Sequence, residues 1–219
     1  MKIEAFKKKL VSCTVILASL LLVQCSKDDD YVYPPVRTDF MQVYTNAESR
    51  IDRIQTDASP VLHTTNQLAT QLRPDTAYRA VGMYSVPDAE NQTSIYSITL
   101  IYSAVPVRAS QDKHFYTHPL YMETIFRGGD YLNMSVRPMV QDPKKHGYAF
   151  VEDSIVPSLH GHRMVYLSLA HNRQDDRESF PRTVYLSVPL RQYQLIKGDS
   201  ITFRANLYEK GMTTWKFAY

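Results

Sequence analysis

Apolar and polar positions alternate with a period of two along most of the chain, the spacing that turns one face of a strand inward and the other to solvent. In "DFMQVYT" (39–45), Phe40, Gln42 and Tyr44 interleave with Met41 and Val43. Comparable runs are "RIDRIQT" (50–56), "VLHTT" (61–65), "AYRAVGMYSV" (77–86) and "SIYSITLIYSAVPVR" (94–108). Between the third and fourth, "NQLATQLRPDT" (66–76) predicts a short helix or a turn, closed by Pro74. Five short strands with one linking segment suit a small OB-like barrel.

"ASQDKHFYTHPL" (109–120) is polar and aperiodic and reads as a domain linker. Beyond it come "METIFRG" (122–128), "YLNMSVRPMV" (131–140), "HGYAFVED" (146–153), "RMVYLSLAH" (163–171), "RTVYLSVPLRQY" (182–193), "SITFRANLYE" (200–209) and "TTWKFAY" (213–219). Turn residues separate them, as in "GGD" (128–130), "KGD" (197–199) and "EKG" (209–211). Seven short strands at this spacing predict an antiparallel β-sandwich. The tetrad "VYLS" occurs at 165–168 and again at 184–187, with Val165, Leu167 and Leu169, and Val184, Leu186 and Val188, each on one face. Both read as core strands of one sandwich; a repeat architecture would need further copies.

The N-terminus departs from this pattern. "MKIEAFKKK" is basic, and "LVSCTVILASLLLV" (10–23) is apolar for about fourteen residues. A membrane-crossing helix needs roughly 20 residues for a ~30 Å core, so the run is too short to span. It reads as a cleaved secretory signal peptide. Cys13 has no apolar core before it, whereas Cys25 follows the whole core in "LVQC" and is the expected lipidation site. Acylation there would anchor the protein in a membrane effectively permanently. Ser26, Lys27, Asp28, Asp29 and Asp30 then resemble the export signal of surface-exposed Bacteroidota lipoproteins. The expected location is the outer membrane facing the cell surface, with the periplasmic face as the alternative. The expected division is signal peptide 1–24, acylated tether 25–36, barrel 37–110 and sandwich 111–219. "YVYPPVR" (31–37) stiffens the tether through Pro34 and Pro35.

Charge changes meaning once the leader is set aside. The formal charge is +3, and residues 1–24 hold four lysines against one glutamate, so the mature chain is close to neutral. A nucleic-acid partner is therefore not expected, because it would need a cationic face. With Cys25 acylated, the remaining sequence has no thiol, which excludes a disulfide and cysteine nucleophilic chemistry.

Candidate chemistry is sparse. No GxSxG, HExxH, P-loop or dinucleotide glycine fingerprint occurs. His160 and His162 in "LHGHR" could bind zinc with a third ligand, but no partner stands at metal-site spacing, and solvated loop histidines are the simpler reading. "NRQDDRE" (172–178) is acidic, but Arg173 and Arg177 argue against calcium. The pairs Asp175–Asp176 and Glu152–Asp153 read as solvated turns. A glycosidase pair of carboxylates from distant strands stays open. No cofactor, metal or catalytic residue is expected. Thr76, Ser154 and Ser200, in "DTA", "DSI" and "DSI", resemble Bacteroidota O-glycosylation acceptors or serve as strand-entry residues. Tyr78, Tyr84, Tyr96 and Tyr102 are candidates for stacking on a ligand, with packing as the simpler role.

"YLNMSV" (131–136), "VYLSLAHN" (165–172), "VYLSVPLRQY" (184–193), "KGDSITFRANLYEKG" (197–211) and the terminal "WKFAY", with "TDF" (38–40) and "LRPDTAYRAVGMY" (72–84), resemble the NigD-like family of Bacteroidota lipoproteins. The resemblance implies an N-terminal OB-like domain and a C-terminal β-sandwich, and brings no catalytic residues with it. The family name comes from a bacteriocin gene cluster in which an immunity role was considered. The expected function is a non-enzymatic, lipid-anchored binding module for a protein or glycan, with bacteriocin immunity as the alternative and a surface glycosidase a weaker third.

Overall fold

The computed structural model describes residues 35–219 except Ser59 and 158–160. The expected signal peptide, Cys25, Ser26–Asp30 and His160 lie outside the described residues. Strands β1 (Val36–Thr45), β2 (Arg50–Thr56), β3 (Val61–Ala69), β4 (Ala77–Ser85), β5 (Gln92–Thr93) and β6 (Ile95–Leu100) form one sheet in the order β5-β3-β2-β1-β4-β6. β5 and β6 are separated only by Ser94. β5 pairs in parallel with β3, and β6 pairs antiparallel with β4. One kinked strand therefore touches both ends of the sheet and curls it into a five-strand barrel of the OB type. Met41, Val43, Ile51, Ile54, Leu62, Ala80, Tyr84 and Ile95 fill its interior. No helix precedes β4: β3 runs on to Ala69, and a turn carries the chain to Ala77.

Two further sheets make the sandwich. Their strands are β7 (Tyr102–Ser103), β8 (Val107–Arg108), β9 (Tyr121–Gly128), β10 (Tyr131–Arg137), β11 (Met139–Val140), β12 (Gly147–Pro157), β13 (Arg163–Asn172), β14 (Phe180–Pro181), β15 (Val184–Pro189), β16 (Ser200–Leu207) and β17 (Gly211–Ala218). One sheet is β7-β15-β10-β9 and the other β17-β16-β13-β12-β8, while β11 and β14 form a small pair. Both sheets are mixed, because β13 runs parallel to β16 and β15 runs parallel to β7. The two "VYLS" tetrads lie in opposite sheets, and Val165, Leu167, Leu169, Leu186 and Val188 meet in one core with Phe150 and Phe203. Each such side chain contributes roughly 1.5–3 kcal/mol on burial.

Three expectations are corrected here. The run 94–108 is not one strand: it supplies β6 to the barrel, β7 to one sandwich sheet and β8 to the other. Its breaks at Ile101 and at 104–106 let it change partners. The segment 109–120 is no free linker, since Leu120 is buried and bridges to Leu207, and Thr117 bridges to His171. The acidic pairs are not both solvated turns: Asp175 stands exposed in a turn as expected, but Asp176 is buried and Glu152 and Asp153 lie within β12.

The inner strand β10 of the sheet β7-β15-β10-β9 is covered on both faces. Leu132, Met134 and Val136 of β10 enter the sandwich core, while Asn133 and Ser135 on the other face are also buried. Five successive buried residues are what a strand shows when neither face reaches water. The barrel supplies that second cover: Phe40 of β1 makes edge contacts with Phe126 of β9 and Tyr185 of β15 at 5.7 and 5.8 Å. Barrel and sandwich thus belong to one compact unit, Val36–Tyr219.

Candidate functional site

The outward face of β4 places Arg79 against the sandwich, because its neighbour Ala80 points into the barrel. Asn133 of β10 and Ser187 of β15 are directly opposed in register and present their side chains to it. Arg79 Nε donates to Ser187 Oγ at 3.0 Å, and Nη2 donates to Asp57 Oδ2 at 2.6 Å and to Asn133 Oδ1 at 3.0 Å. Asn133 Nδ2 donates to the same Asp57 oxygen at 2.6 Å, and Ser187 Oγ donates to Asn133 Oδ1 at 2.7 Å. The guanidinium also lies 3.7 Å from the centre of the Tyr131 ring. Burial raises the Tyr131 phenol above its ordinary value, with Arg79 opposing and Asp57 assisting.

Nη1 of Arg79 is buried without an acceptor. Gly128 permits this arrangement, since a Cβ there would sit 2.7 Å from Asp57 Oδ2. Beside the cluster opens a slot of about 200 Å³, walled by Gln42, Gln55, Asp57, Arg79, Asp130 and Tyr131, among others. A neighbouring cavity of about 390 Å³ shares Gln42, Arg79 and Tyr131 with it.

A second buried polar chain runs through the sandwich. Asp176 accepts from the backbone N–H groups of Gln141 and Asp142 at 2.8 and 3.1 Å, and faces His146 Nε2 at 3.1 Å. His146 Nδ1 lies 2.9 Å from His171 Nε2, and His171 Nδ1 lies 2.9 Å from the His118 carbonyl. A carbonyl only accepts, so His171 carries its proton on Nδ1 and receives one from His146. Tyr148 stacks on His171 at 5.1 Å. Burial lowers His171 to about 4, opposed by the His118 carbonyl and reinforced by the charge of His146. Burial pushes Asp176 upward, but the two backbone donors and His146 outweigh it and hold the carboxyl below its ordinary value. Asp176, His146 and both ring nitrogens of His171 meet partners within the fold, while the hydroxyl of the stacked Tyr148 is buried without one. Among the described residues, no group of three His, Cys, Asp or Glu side chains is placed to hold a metal.

The tyrosines named from the sequence do not form one platform. Tyr84 is buried in the barrel, where its hydroxyl donates to Asp39 at 2.6 Å; burial and that carboxylate push it up to about 12. Tyr78 is half-buried and accepts from the Arg73 N–H. Tyr96 is exposed on β6, and Tyr102 packs 5.5 Å from Phe150. Thr76 lies in the turn before β4, its hydroxyl donating to the Pro74 carbonyl; Ser154 is exposed on β12, and Ser200 opens β16. His162 stands 3.9 Å from Asp199. Asp199 itself accepts from Arg163 and from the Ile196 N–H. The residues of the slot carry no sequence signal beyond ordinary outward strand positions and, for Asp57 and Asp130, ordinary turn positions.

The chain has no match among curated proteins of comparable sequence. Solved structures share the fold. A NigD-like immunity protein from Bacteroides caccae is 26% identical with a TM-score of 0.67, over 85% of this chain and 94% of that one. A protein of unknown function from Bacteroides vulgatus is 16% identical with a TM-score of 0.63, over 84% and 91%. A lipoprotein candidate from Bacteroides fragilis is 14% identical with a TM-score of 0.60, over 85% and 97%. Residues 103–219 match the family model of the NigD-like C-terminal β-sandwich domain, which begins with β7 and covers the two sandwich sheets apart from Tyr102. With more than half its length inside that match, the chain belongs to the NigD-like family.

Proposed function

We propose that this protein is a lipid-anchored envelope module that binds a ligand without transforming it. The observation that carries the reading is how its buried carboxylates are spent. Asp57 is paired with Arg79, Asp176 is held by two backbone N–H groups and His146, and Asp199 is held by Arg163 and the Ile196 N–H. A general acid or base needs a group free to exchange its proton with substrate; Asp176 and Asp199 have no such freedom, and Asp57 is tied to Arg79 and Asn133 through Oδ2. The polar slot between barrel and sandwich is the concave feature with converging polar groups, which is the form a small binding site takes.

Anchoring rests on Cys25 behind the short apolar core, and outward display on Ser26–Asp30. The lipoprotein candidate from Bacteroides fragilis supports the anchor by likeness of fold. Among the described residues no helix is long and apolar enough to cross a membrane. The partner is a protein or a glycan at the cell surface, and the near-neutral mature chain disfavours nucleic acid. A second reading, immunity against a bacteriocin, is favoured by the name of the Bacteroides caccae relative; the ligand would then be a toxin.

Two measurements test this. Palmitate labelling should mark the native protein and be lost in Cys25→Ala; labelling that persists removes the anchor. Immobilised mature chain should retain envelope material saturably and release it to free mature chain. Envelope material that shows no saturable retention removes the binding role. Protection of a sensitive strain from a bacteriocin would select the immunity reading.

A further inference from the structure

We infer that the slot beside Arg79 seats the ring of a neutral sugar, which makes the ligand of the proposed binding module a glycan end; the inference rests on that reading. Size is the first argument. A slot of about 200 Å³ has the volume of roughly six or seven waters at ~30 Å³ each, the scale of one ring with its hydroxyls.

Charge is the second. Arg79 is balanced by Asp57 at 2.6 Å and Arg191 by Asp130 at 3.2 Å, so the walls hold cations and anions in matched pairs. A phosphate or carboxylate would meet no uncompensated cation there.

The third argument is the mixture of donors and acceptors. Among the described residues, Asp57 engages the fold through Oδ2 and Asp130 engages Arg191 through Oδ2, so each has its Oδ1 to accept. The Tyr44 hydroxyl lies between the Gln42 and Gln55 amides at 3.0 and 3.1 Å. It has a single hydrogen and donates to one amide oxygen at a time, so the two amides, which line the slot, keep unspent donor and acceptor positions. Hydroxyl groups both donate and accept, so a polyhydroxylated ring answers such a wall where an apolar or singly charged ligand does not. The adjoining cavity of about 390 Å³ has room for the residue linked to that ring.

Calorimetric titration of the mature chain with neutral hexoses, 6-deoxyhexoses, pentoses, N-acetylhexosamines and their disaccharides tests the proposal. At least one sugar should bind with a Kd of about 1 mM or tighter. Its disaccharide should bind several-fold more tightly, and inorganic phosphate should not compete. Gln42→Ala and Gln55→Ala should each weaken binding at least fivefold with the melting temperature unchanged. No binding across the panel overturns the inference, as does binding that the double variant Gln42→Ala/Gln55→Ala leaves intact. Saturable retention of envelope protein, lost in the double variant, would overturn the sugar and leave the binding role standing. Loss of all retention would remove both.

Discussion

The Arg79 guanidinium lies 3.7 Å from the Tyr131 ring centre while its Nη2 sits 2.6 Å from Asp57 Oδ2. A cation from the barrel is thereby stacked on an aromatic of the sandwich and neutralised by a carboxylate from the barrel. Arg79→Met should leave the Asp57 carboxylate without its cation, held only by Asn133 Nδ2 among the described residues. Breaking one side of a buried pair costs about 3–5 kcal/mol. The expected melting temperature is lower by roughly 2–4 °C for each kcal/mol lost. Urea denaturation that finds less than about 1 kcal/mol of loss would place the pair among the weak, solvated ones.

Gly128 stands where a side chain would strike this cluster. The Cβ of Gly128→Ala would lie 2.7 Å from Asp57 Oδ2 and 3.0 Å from Asn133 Nδ2, and neither group can retreat without losing Arg79. Overpacking of this kind costs about 1–3 kcal/mol. Thermal denaturation should show it. An unchanged melting point would mean that the Asp57 loop yields freely.

Acid should destabilise the fold through His171. Its value is about 4 when folded against 6.5 ordinarily, so between these values the unfolded chain takes up a proton that the folded chain refuses. The contribution is complete above the unfolded value and is lost as pH falls toward the folded one, about 2 kcal/mol of it between pH 7 and pH 5. Asp176 and Asp199, both held below their ordinary values, add losses only further down, as pH falls through their lowered values. In His171→Gln the difference between pH 7 and pH 5 in urea titrations should shrink to a small remainder. An undiminished difference would assign the effect to another group.

Phe150 joins the core of the sandwich to Tyr102, the residue with which the chain leaves the barrel. Phe150→Ala should cost about 3–5 kcal/mol, as for other fully buried phenylalanines. Equilibrium denaturation measures it. A loss below about 1 kcal/mol would mean that Tyr102 and its neighbours collapse into the space.

Much of the fold was legible because strand alternation is local. Met41 and Val43, and Val165 and Leu167, announce inward faces from their own spacing, and all four are buried. The turn residues at Gly129 and Gly211, both at positive φ, mark hairpins just as reliably. The slot was not legible. Asn133, Ser187 and Arg79 occupy outward positions, where a polar residue is the ordinary choice, and nothing adjacent in the chain tells that another layer covers them.

Taken alone, the sequence determined the two-part β architecture, the family, and the expectation of a lipid anchor at Cys25. The architecture and the anchor follow from short-range features: period-two alternation, turn chemistry, and a brief apolar core before a cysteine; the family follows from the resemblance of the strand and turn motifs to the NigD-like pattern. Tertiary structure alone decided that residues 95–108 serve three sheets, that Asp176 is buried, and that Arg79, Asp57, Asn133 and Ser187 converge. The reason is physical. Local spacing tells which face of a strand is polar, but whether that face meets water or another protein layer depends on segments that are distant in sequence, as Arg79 and Ser187 are by 108 positions.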